Sequence, residues 1–257
     1  MRFTHETVLN VTYLTPSLLI FSTTRDQNFN FTPGHYARIG LKHTNEEVVW
    51  RPISIVSSKY DYFLEFYVLL VPSGEFSSQL AKISEGDLIK VDTSSYGFMT
   101  IDGLESGKDL WLIATGTGIG PFLSILRDCN TWRAYENVVL VHSVRRAVEL
   151  AYRHKISEII DFQKTNTMLS QIHYIPIVTR EVCADILSVR IPQMIENGQL
   201  EQITGLKLDL KHSRVMACGN PQMILELRSL FTAKGFKTNR RGMPGHLSFE
   251  NYWLNRP

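Results

Sequence analysis

Three glycines in one turn are the residues of this sequence that are best suited to holding a ligand. Gly116, Gly118 and Gly120 follow the apolar run 110–114, and Pro121 comes next, before apolar residues at helical spacing. A strand, a glycine turn and a helix in this order let backbone amides approach a phosphate or a cofactor ring. The stretch predicts a nucleotide- or cofactor-binding turn. A tight connection that needs glycine only for its backbone geometry is the alternative.

The spacing of these glycines excludes two common cofactor motifs. The dinucleotide fingerprint needs glycine at its first, third and sixth positions, and the sixth position from Gly116 is Pro121. A phosphate-binding P-loop needs Gly-Lys followed by Ser or Thr, which does not occur in this sequence. The turn therefore needs support from other parts of the chain.

Basic residues follow the next two apolar runs, 138–142 and 174–178. Ligands of parallel α/β sheets bind at the carboxyl ends of the strands, where an arginine accommodates a 2′-phosphate. Three arginines that converge on one phosphate favour NADP over NAD; three solvated surface arginines are the alternative. The residues concerned are Val144, Arg145, Thr179, Arg180 and Arg190.

Two further stretches carry candidate chemistry. The run 214–218 ends in Cys218-Gly219-Asn220-Pro221, a sharp turn that begins a helix. Cys218 is either a small buried hydrophobe, which we favour from the residues alone, or a neighbour of a reacting ring. In Arg51-Pro52-Ile53-Ser54 we expect the arginine and the serine to face the same side of a strand, where the guanidinium could hold a pyrophosphate.

Two halves of the chain must position these residues. Residues 1–104 contain β-branched and aromatic runs separated by turn signals, which predicts an antiparallel β-barrel with a short helix at 77–82. From residue 105 to 257, strands at 110–114, 138–142, 174–178 and 214–218 alternate with helical segments at 121–128, 146–161, 184–197 and 221–234. This alternation predicts an α/β domain with a parallel sheet.

Composition excludes several classes of protein. The net charge of +2 gives no support for binding nucleic acid or a membrane surface, and no apolar run is long enough to span a bilayer. Cys129, Cys183 and Cys218 are too few for an iron–sulfur cluster within this chain and form no disulfide framework, so we expect a cytoplasmic protein. We expect no metal, because the histidines form no pair with helical zinc-site spacing.

Taken together, the motifs resemble the ferredoxin–NADP reductase family in its compact bacterial form, over nearly the whole chain. Arg51 to Ser54 is similar to the family's Arg-x-Tyr-Ser flavin motif, and 64–77 to the next strand and the loop around the FAD pyrophosphate. The stretch 114–121 looks like the nicotinamide-side turn, and 244–253 like the aromatic C-terminus. The basic residues above, with Cys218 to Gln222, look like NADP-binding elements.

The resemblance implies an FAD site in residues 1–104. Arg51 would bind the FAD phosphates, Ser54 would hydrogen-bond near flavin N5, and the backbone of 67–70 would run along the flavin. The pyrophosphate would meet 75–77, where Ser77 and backbone amides suit an anion better than Glu75 does. The full set is Arg51, Pro52, Ile53, Ser54, Tyr67, Val68, Leu69, Leu70, Glu75, Phe76 and Ser77, together with Tyr252 and Trp253 near the C-terminus, of which Trp253 would stack on the adenine.

The resemblance implies an NADP site in residues 105–257. Three residues would lie at the reacting centre, Ser54, Thr117 and Cys218, and none of them need act as a nucleophile. Arg145, Arg180 and Arg190 would grip the 2′-phosphate. The full set is Gly116, Thr117, Gly118, Val144, Arg145, Thr179, Arg180, Arg190, Gly219, Asn220, Pro221 and Gln222.

The sequence departs from the family pattern at two places. Ile53 stands where a tyrosine is expected to stack on the isoalloxazine, which predicts weaker flavin retention or an altered flavin potential. Residues 254–257 continue past Trp253, where the compact form tends to stop.

The activity that the resemblance implies is hydride transfer between NADP(H) and FAD, with single electrons passing to ferredoxin or flavodoxin. Two alternatives stay open at this point. One is a reductase subunit for an oxygenase or another electron-transfer complex, and the other is a non-catalytic module that binds a nucleotide or a protein. We expect a monomer.

Overall fold

The computed structural model describes residues 2–42, 47–165 and 170–251. The chain divides into two compact units. The first comprises Met1–Phe98 with Gly120–Ile125, and the second comprises Met99–Ile119 with Leu126–Pro257. The domain boundary expected at residue 104 stays a prediction.

The first unit is an antiparallel sheet of six strands. They are β1 (Phe3–Thr15), β2 (Leu18–Thr24), β3 (Tyr36–Lys42), β4 (Val48–Ser54), β5 (Phe63–Leu69) and β6 (Leu88–Tyr96), and helix α1 (Glu75–Leu80) follows β5. The order across the sheet is β4-β3-β6-β1-β2-β5. Just beyond β4, Ile55 bridges to Phe66 of β5, and Val56 N–H donates to the carbonyl of Glu65 at 2.9 Å. The two edge strands therefore meet, and the predicted barrel is confirmed.

Apolar side chains, which alternate with polar ones along the strands, fill the interior of this sheet. On β2, Leu19 and Phe21 are fully buried, and the Phe21 ring stacks on that of Phe66 with 5.0 Å between centroids. Ile39 and Leu64 complete the centre of the core. Side chains two apart on a strand share one face, so the pattern sends one set inward.

The second unit is a parallel sheet of five strands with helices. Its strands are β7 (Asp109–Thr115), β8 (Asn137–Val144), β9 (Gln171–Val178), β10 (Ser213–Gly219) and β11 (Leu247–Asn251). Helix α2 (Gly120–Leu126) follows the turn after β7, and its residues 120–125 belong to the first unit. The helices of the second unit are α3 (Cys129–Ala134), α4 (Arg153–Thr165), α5 (Ile191–Glu196), α6 (Gln199–Thr204) and α7 (Pro221–Ala233). The order β11-β10-β7-β8-β9 confirms the predicted parallel sheet.

The strand order places a switch point between β7 and β10. The chain moves outward from β7 through β8 to β9 and then returns to the other side of β7. Ligands of open α/β sheets bind at the carboxyl ends of strands at such a point. The turns that follow β7 and β10 are the two glycine turns singled out above.

Two predicted helices begin later than expected. The segment expected to be helical from 146 forms a short 3₁₀ turn at Ala147–Glu149, and α4 begins at Arg153. The segment expected from 184 is irregular up to α5, because Leu187 bridges to Ile177 beside β9 and Pro192 favours a helix start at this point. Helices α3 and α6 and strand β11 were not predicted.

Candidate functional site

The two glycine turns of the second unit pack directly against each other. The backbone N–H of Asn220 donates to Thr115 Oγ1 at 2.7 Å. A Cβ at Gly118 would lie 2.7 Å from the carbonyl carbon of Cys218, and one at Gly219 would lie 2.7 Å from the carbonyl oxygen of Thr115. Neither position has room for a side chain, so the close approach explains why glycine is needed at both.

Gly116 is needed for a different reason. Its φ of +54° lies in the left-handed region that favours glycine, whereas a Cβ there would meet no atom within 4 Å. This side of the turn is therefore open space. Thr117, the predicted ring neighbour, is the second residue of the 3₁₀ turn Gly116–Ile119.

One row of side chains crosses the sheet at the carboxyl ends of its strands. The register pairs Glu250 with Cys218, Cys218 with Ala114, and Ala114 with His142. Paired residues of a parallel sheet share a face, and neighbouring strands lie about 4.8 Å apart. Cys218 is buried, as we favoured, and it also lies in the turn region as the resemblance requires.

Glu250 is a candidate functional residue to which sequence reasoning gave no role. Burial raises the pKa of its carboxyl group to about 7. A carboxyl group whose pKa is shifted strongly by burial is a candidate site residue. The signal was the acidic residue within the aromatic ending, but only the pairing of β11 with β10 shows that Glu250 faces Cys218.

His142 was also missed. Its Nε2 atom lies 3.0 Å from the Gly116 carbonyl oxygen, and burial lowers its pKa to about 4. A histidine in the middle of an apolar strand gives no sign in the sequence of the turn that it contacts.

The predicted 2′-phosphate residues are partly brought together. The backbone N–H of Arg180 donates to the Arg145 carbonyl at 2.9 Å, and Thr179 N–H donates to the Val144 carbonyl at 3.0 Å. Both arginines are exposed. The structure thus aligns the residues that follow β8 and β9 side by side, as an anion site formed by both strand ends requires.

Arg190 contacts a different element. Its Nη2 atom lies 2.9 Å from each carboxylate oxygen of Glu226 on α7. Glu226 also accepts from Gln222 Nε2 at 3.0 Å, and hydrogen bonds from Arg190 and Gln222 lower its pKa. Asn220 caps α7, because its Oδ1 atom accepts from the N–H groups of Gln222 at 2.9 Å and Met223 at 3.2 Å. Pro221 opens the helix.

The flavin-like motif of the first unit lies on β4. Arg51 is exposed, and its Nη1 atom donates to the Trp50 carbonyl at 2.8 Å. Pro52 is exposed, Ile53 packs into the core, and Ser54 is buried. The expectation that Arg51 and Ser54 face the same side is wrong, because three positions separate them and alternate residues of a strand face opposite sides.

β5 and the loop after it form the second part of the candidate flavin site. Leu69 is exposed at the end of β5, and Leu70 N–H donates to the Ser17 carbonyl at 2.7 Å. Ser77 Oγ accepts from Val71 N–H at 2.9 Å, which ties the loop to α1. The other members of the set are the buried Tyr67 and Phe76, the partly buried Val68 and the exposed Glu75.

Some expectations receive no structural account. Tyr252 and Trp253 lie outside the described residues. Within the described part of the chain, no group of three or more His, Cys, Asp or Glu side chains could hold a metal ion. No helix of residues 2–42, 47–165 and 170–251 has the length and apolar character needed to cross a membrane.

Family models match both parts of the chain. The model described as "Oxidoreductase FAD-binding domain" matches residues 10–99, and "Oxidoreductase NAD-binding domain" matches residues 112–228. The two matches fall on the halves to which the sequence assigned FAD and NADP.

Relatives match along nearly the full length. "Ferredoxin--NADP reductase A" of Sorangium cellulosum is 36% identical over 95% of this chain and 87% of its own. "Ferredoxin--NADP reductase" of Pseudomonas aeruginosa is 34% identical over 98% of each chain. Among solved structures, a ferredoxin NADP+ reductase from Neisseria gonorrhoeae with bound FAD and NADP has a TM-score of 0.90 and 31% identity, and the match covers 98% of this chain and 100% of that one.

Proposed function

Since this chain belongs to the ferredoxin–NADP reductase family, we propose that it is an FAD-dependent oxidoreductase that transfers hydride between NADP(H) and flavin and single electrons between flavin and ferredoxin or flavodoxin. One observation carries this proposal. The chain is 34% identical to a ferredoxin–NADP reductase over 98% of both lengths, and FAD-binding and NAD-binding family models both match it.

The residues of the first unit suit an FAD site. FAD, when bound, supplies the exchange between two-electron and one-electron transfer. The exposed Arg51 guanidinium would hold the FAD phosphates, and the buried Ser54 hydroxyl would orient the ring. The backbone of 67–70 would line the ring, and the loop that leads into 75–77 would lie along the pyrophosphate.

The residues of the second unit suit NADP(H). The opening at Gly116, with Thr117, Cys218 and the turn 219–222, would hold the nicotinamide, since a close approach is what hydride transfer needs. Arg145 and Arg180, exposed and joined through their backbones, would bind the 2′-phosphate bidentately. Arg190 would join them on release from Glu226. No side chain is required as a nucleophile.

The predicted partner is a ferredoxin or a flavodoxin. The names of the relatives carry these acceptors, and we propose the same for this chain, together with a monomeric state and a cytoplasmic location.

A steady-state assay tests the proposed activity. The purified protein, reconstituted with FAD, is supplied with NADPH and either a ferredoxin or a flavodoxin, and reduction of the carrier is followed. We expect turnover with at least one carrier, and a KM for NADPH at least tenfold higher in Arg180→Ala. Turnover with free dyes but with neither carrier would favour a reductase subunit for another complex. A protein that takes up no flavin would indicate a binding module.

A further inference from the structure

His142 is a buried titratable residue that the proposed function leaves without a role. It lies on β8, the strand that pairs with β7, and only 1% of its surface is exposed. Its Nε2 atom lies 3.0 Å from the carbonyl oxygen of Gly116, the first residue of the glycine turn. All of these residues belong to the second unit.

The hydrogen bond fixes where the imidazole carries its proton. A carbonyl oxygen can only accept, so Nε2 must donate and Nδ1 is then unprotonated. Among the described residues, Nδ1 has no hydrogen-bond partner. A second proton there would place an uncompensated cation inside the sheet, and burial accordingly lowers the pKa of His142 to about 4. His142 is therefore a neutral donor at physiological pH.

The consequence reaches the next peptide group. A peptide bond is planar and its C=O and N–H point in opposite directions, so the atom that holds the Gly116 carbonyl also sets the direction of the Thr117 N–H. Packing does not restrain Gly116 on its Cβ side, because a Cβ there would meet no atom within 4 Å. Glycine at a φ of +54° also has the most conformational freedom to lose.

We infer that His142 is a positioning residue of the nicotinamide site, which holds the Gly116 carbonyl through Nε2 and thereby orients the Thr117 N–H in the turn. This inference rests on the proposed function, because it assigns the ligand of the turn to the nicotinamide ring. His142 touches neither cofactor in this account, and it acts only through Gly116.

A matched pair of variants tests it. His142→Gln and His142→Met have side chains of nearly the same length and shape, and they differ in that only glutamine offers an N–H donor. Leu140→Ala serves as a control, because it opens a cavity on the same strand and the same face, two residues before His142. It lowers stability without removing the hydrogen bond to the turn.

Two readouts are measured on the FAD-loaded protein. Amide hydrogen exchange at 114–120 reports the turn without any catalysis, and stopped-flow reduction at saturating NADPH reports hydride transfer. For His142→Met we expect amide hydrogen exchange at 114–120 to become at least tenfold faster. We expect flavin reduction in the same variant to become at least tenfold slower. His142→Gln should stay within threefold of the wild type in both, and Leu140→Ala should lower the melting temperature without this local change in exchange.

The outcomes separate this inference from the proposed function. Equal behaviour of the glutamine and methionine variants would overturn it, as would a nitrogen NMR spectrum that shows the Nδ1–H tautomer for His142. Failure of the wild-type protein to be reduced by NADPH would instead overturn the proposed function. The exchange comparison would still decide whether His142 holds the turn.

Discussion

Glu250 has a carboxyl group at the carboxyl end of β11, where it faces Cys218. Burial raises its pKa from the ordinary 4.5 to about 7, so the folded protein binds this proton more tightly than the unfolded chain does. Its contribution to the free energy of unfolding therefore falls as pH rises from about 4.5 to 7, and the loss persists above pH 7.

Replacing this residue should remove that pH dependence. At about 1.36 kcal/mol per pKa unit the cost is at most about 3 kcal/mol, and nearer 2 kcal/mol because the side chain is partly exposed. We expect Glu250→Gln to unfold in urea like the wild type at pH 4.5 and to be more stable at pH 8. Glu85→Gln, at an exposed position, is the control. If the difference in free energy of unfolding between Glu250→Gln and the wild type does not change with pH, the raised pKa of the Glu250 carboxyl group is contradicted.

The Glu226 carboxylate accepts hydrogen bonds from Arg190 and Gln222, two residues predicted to bind NADP. A phosphate and this carboxylate would compete for the same guanidinium, but the Arg190 side chain is exposed and the ion pair is worth roughly 1 kcal/mol or less. Glu226→Gln should therefore lower the Kd for NADP+ by up to about fivefold and leave binding of NAD+ unchanged. Weaker NADP+ binding in calorimetric titrations would mean that Glu226 organises the site instead.

Ile53 is the residue that departs from the family's flavin motif. An aromatic side chain there would add stacking worth roughly 0.5–1.5 kcal/mol, so Ile53→Tyr should lower the Kd for FAD by about two- to tenfold. Ile53 packs into the core of the first unit, so the melting temperature of the apoprotein records any overpacking separately. Equal FAD affinity together with an equal reduction potential would contradict this role.

At the scale of elements, the two glycine turns hold each other in place. A Cβ at Gly118 would overlap the Cys218 carbonyl, so Gly118→Ala must push the turns after β7 and β10 apart. We expect at least tenfold weaker NADP+ binding, with the flavin retained. Gly205→Ala is the control, since Gly205 has a φ of +72° but open space around it. Unchanged NADP+ affinity in Gly118→Ala would show that the close approach is dispensable.

The sequence predicted the elements whose signals are local. Apolar runs bounded by Gly and Pro located ten of the strands, and Asn220-Pro221 marked the start of α7. Strand β11 was missed because its short run gains its identity from pairing with β10, a contact far away in sequence. The residues 146–152 read as helical, yet Arg145 and Ala147 donate their N–H groups to the side chains of Glu149 and Glu181.

In the candidate site too, the sequence predicted residues with local signals and missed those that depend on contacts between strands. Motif residues with a local signal, such as Gly116 in its glycine turn and Arg180 after an apolar run, were singled out from the residues before the resemblance was drawn. His142 and Glu250 were not found, because their importance depends on the row that parallel pairing creates across β8, β7, β10 and β11. Arg190 was predicted as a site residue, but its ion pair with Glu226 was not, because the two residues are 36 apart in sequence.

At the scale of the whole molecule, a single chain carries both an FAD-binding and an NAD-binding part, and we propose that exposed arginines select NADP over NAD. Family models match 10–99 and 112–228 in the expected order. The 2′-phosphate is the only chemical difference between the two nicotinamide cofactors, so discrimination between them isolates the contribution of Arg145 and Arg180.

The most direct measurement is anaerobic stopped-flow reduction of the FAD-loaded protein by NADPH and by NADH in separate runs. We expect NADPH to bleach the flavin absorbance much faster than NADH does, and we expect Arg145→Ala combined with Arg180→Ala to remove most of this difference without slowing reduction by NADH. Equal or faster bleaching by NADH in the wild-type protein would contradict selection of NADP by these arginines.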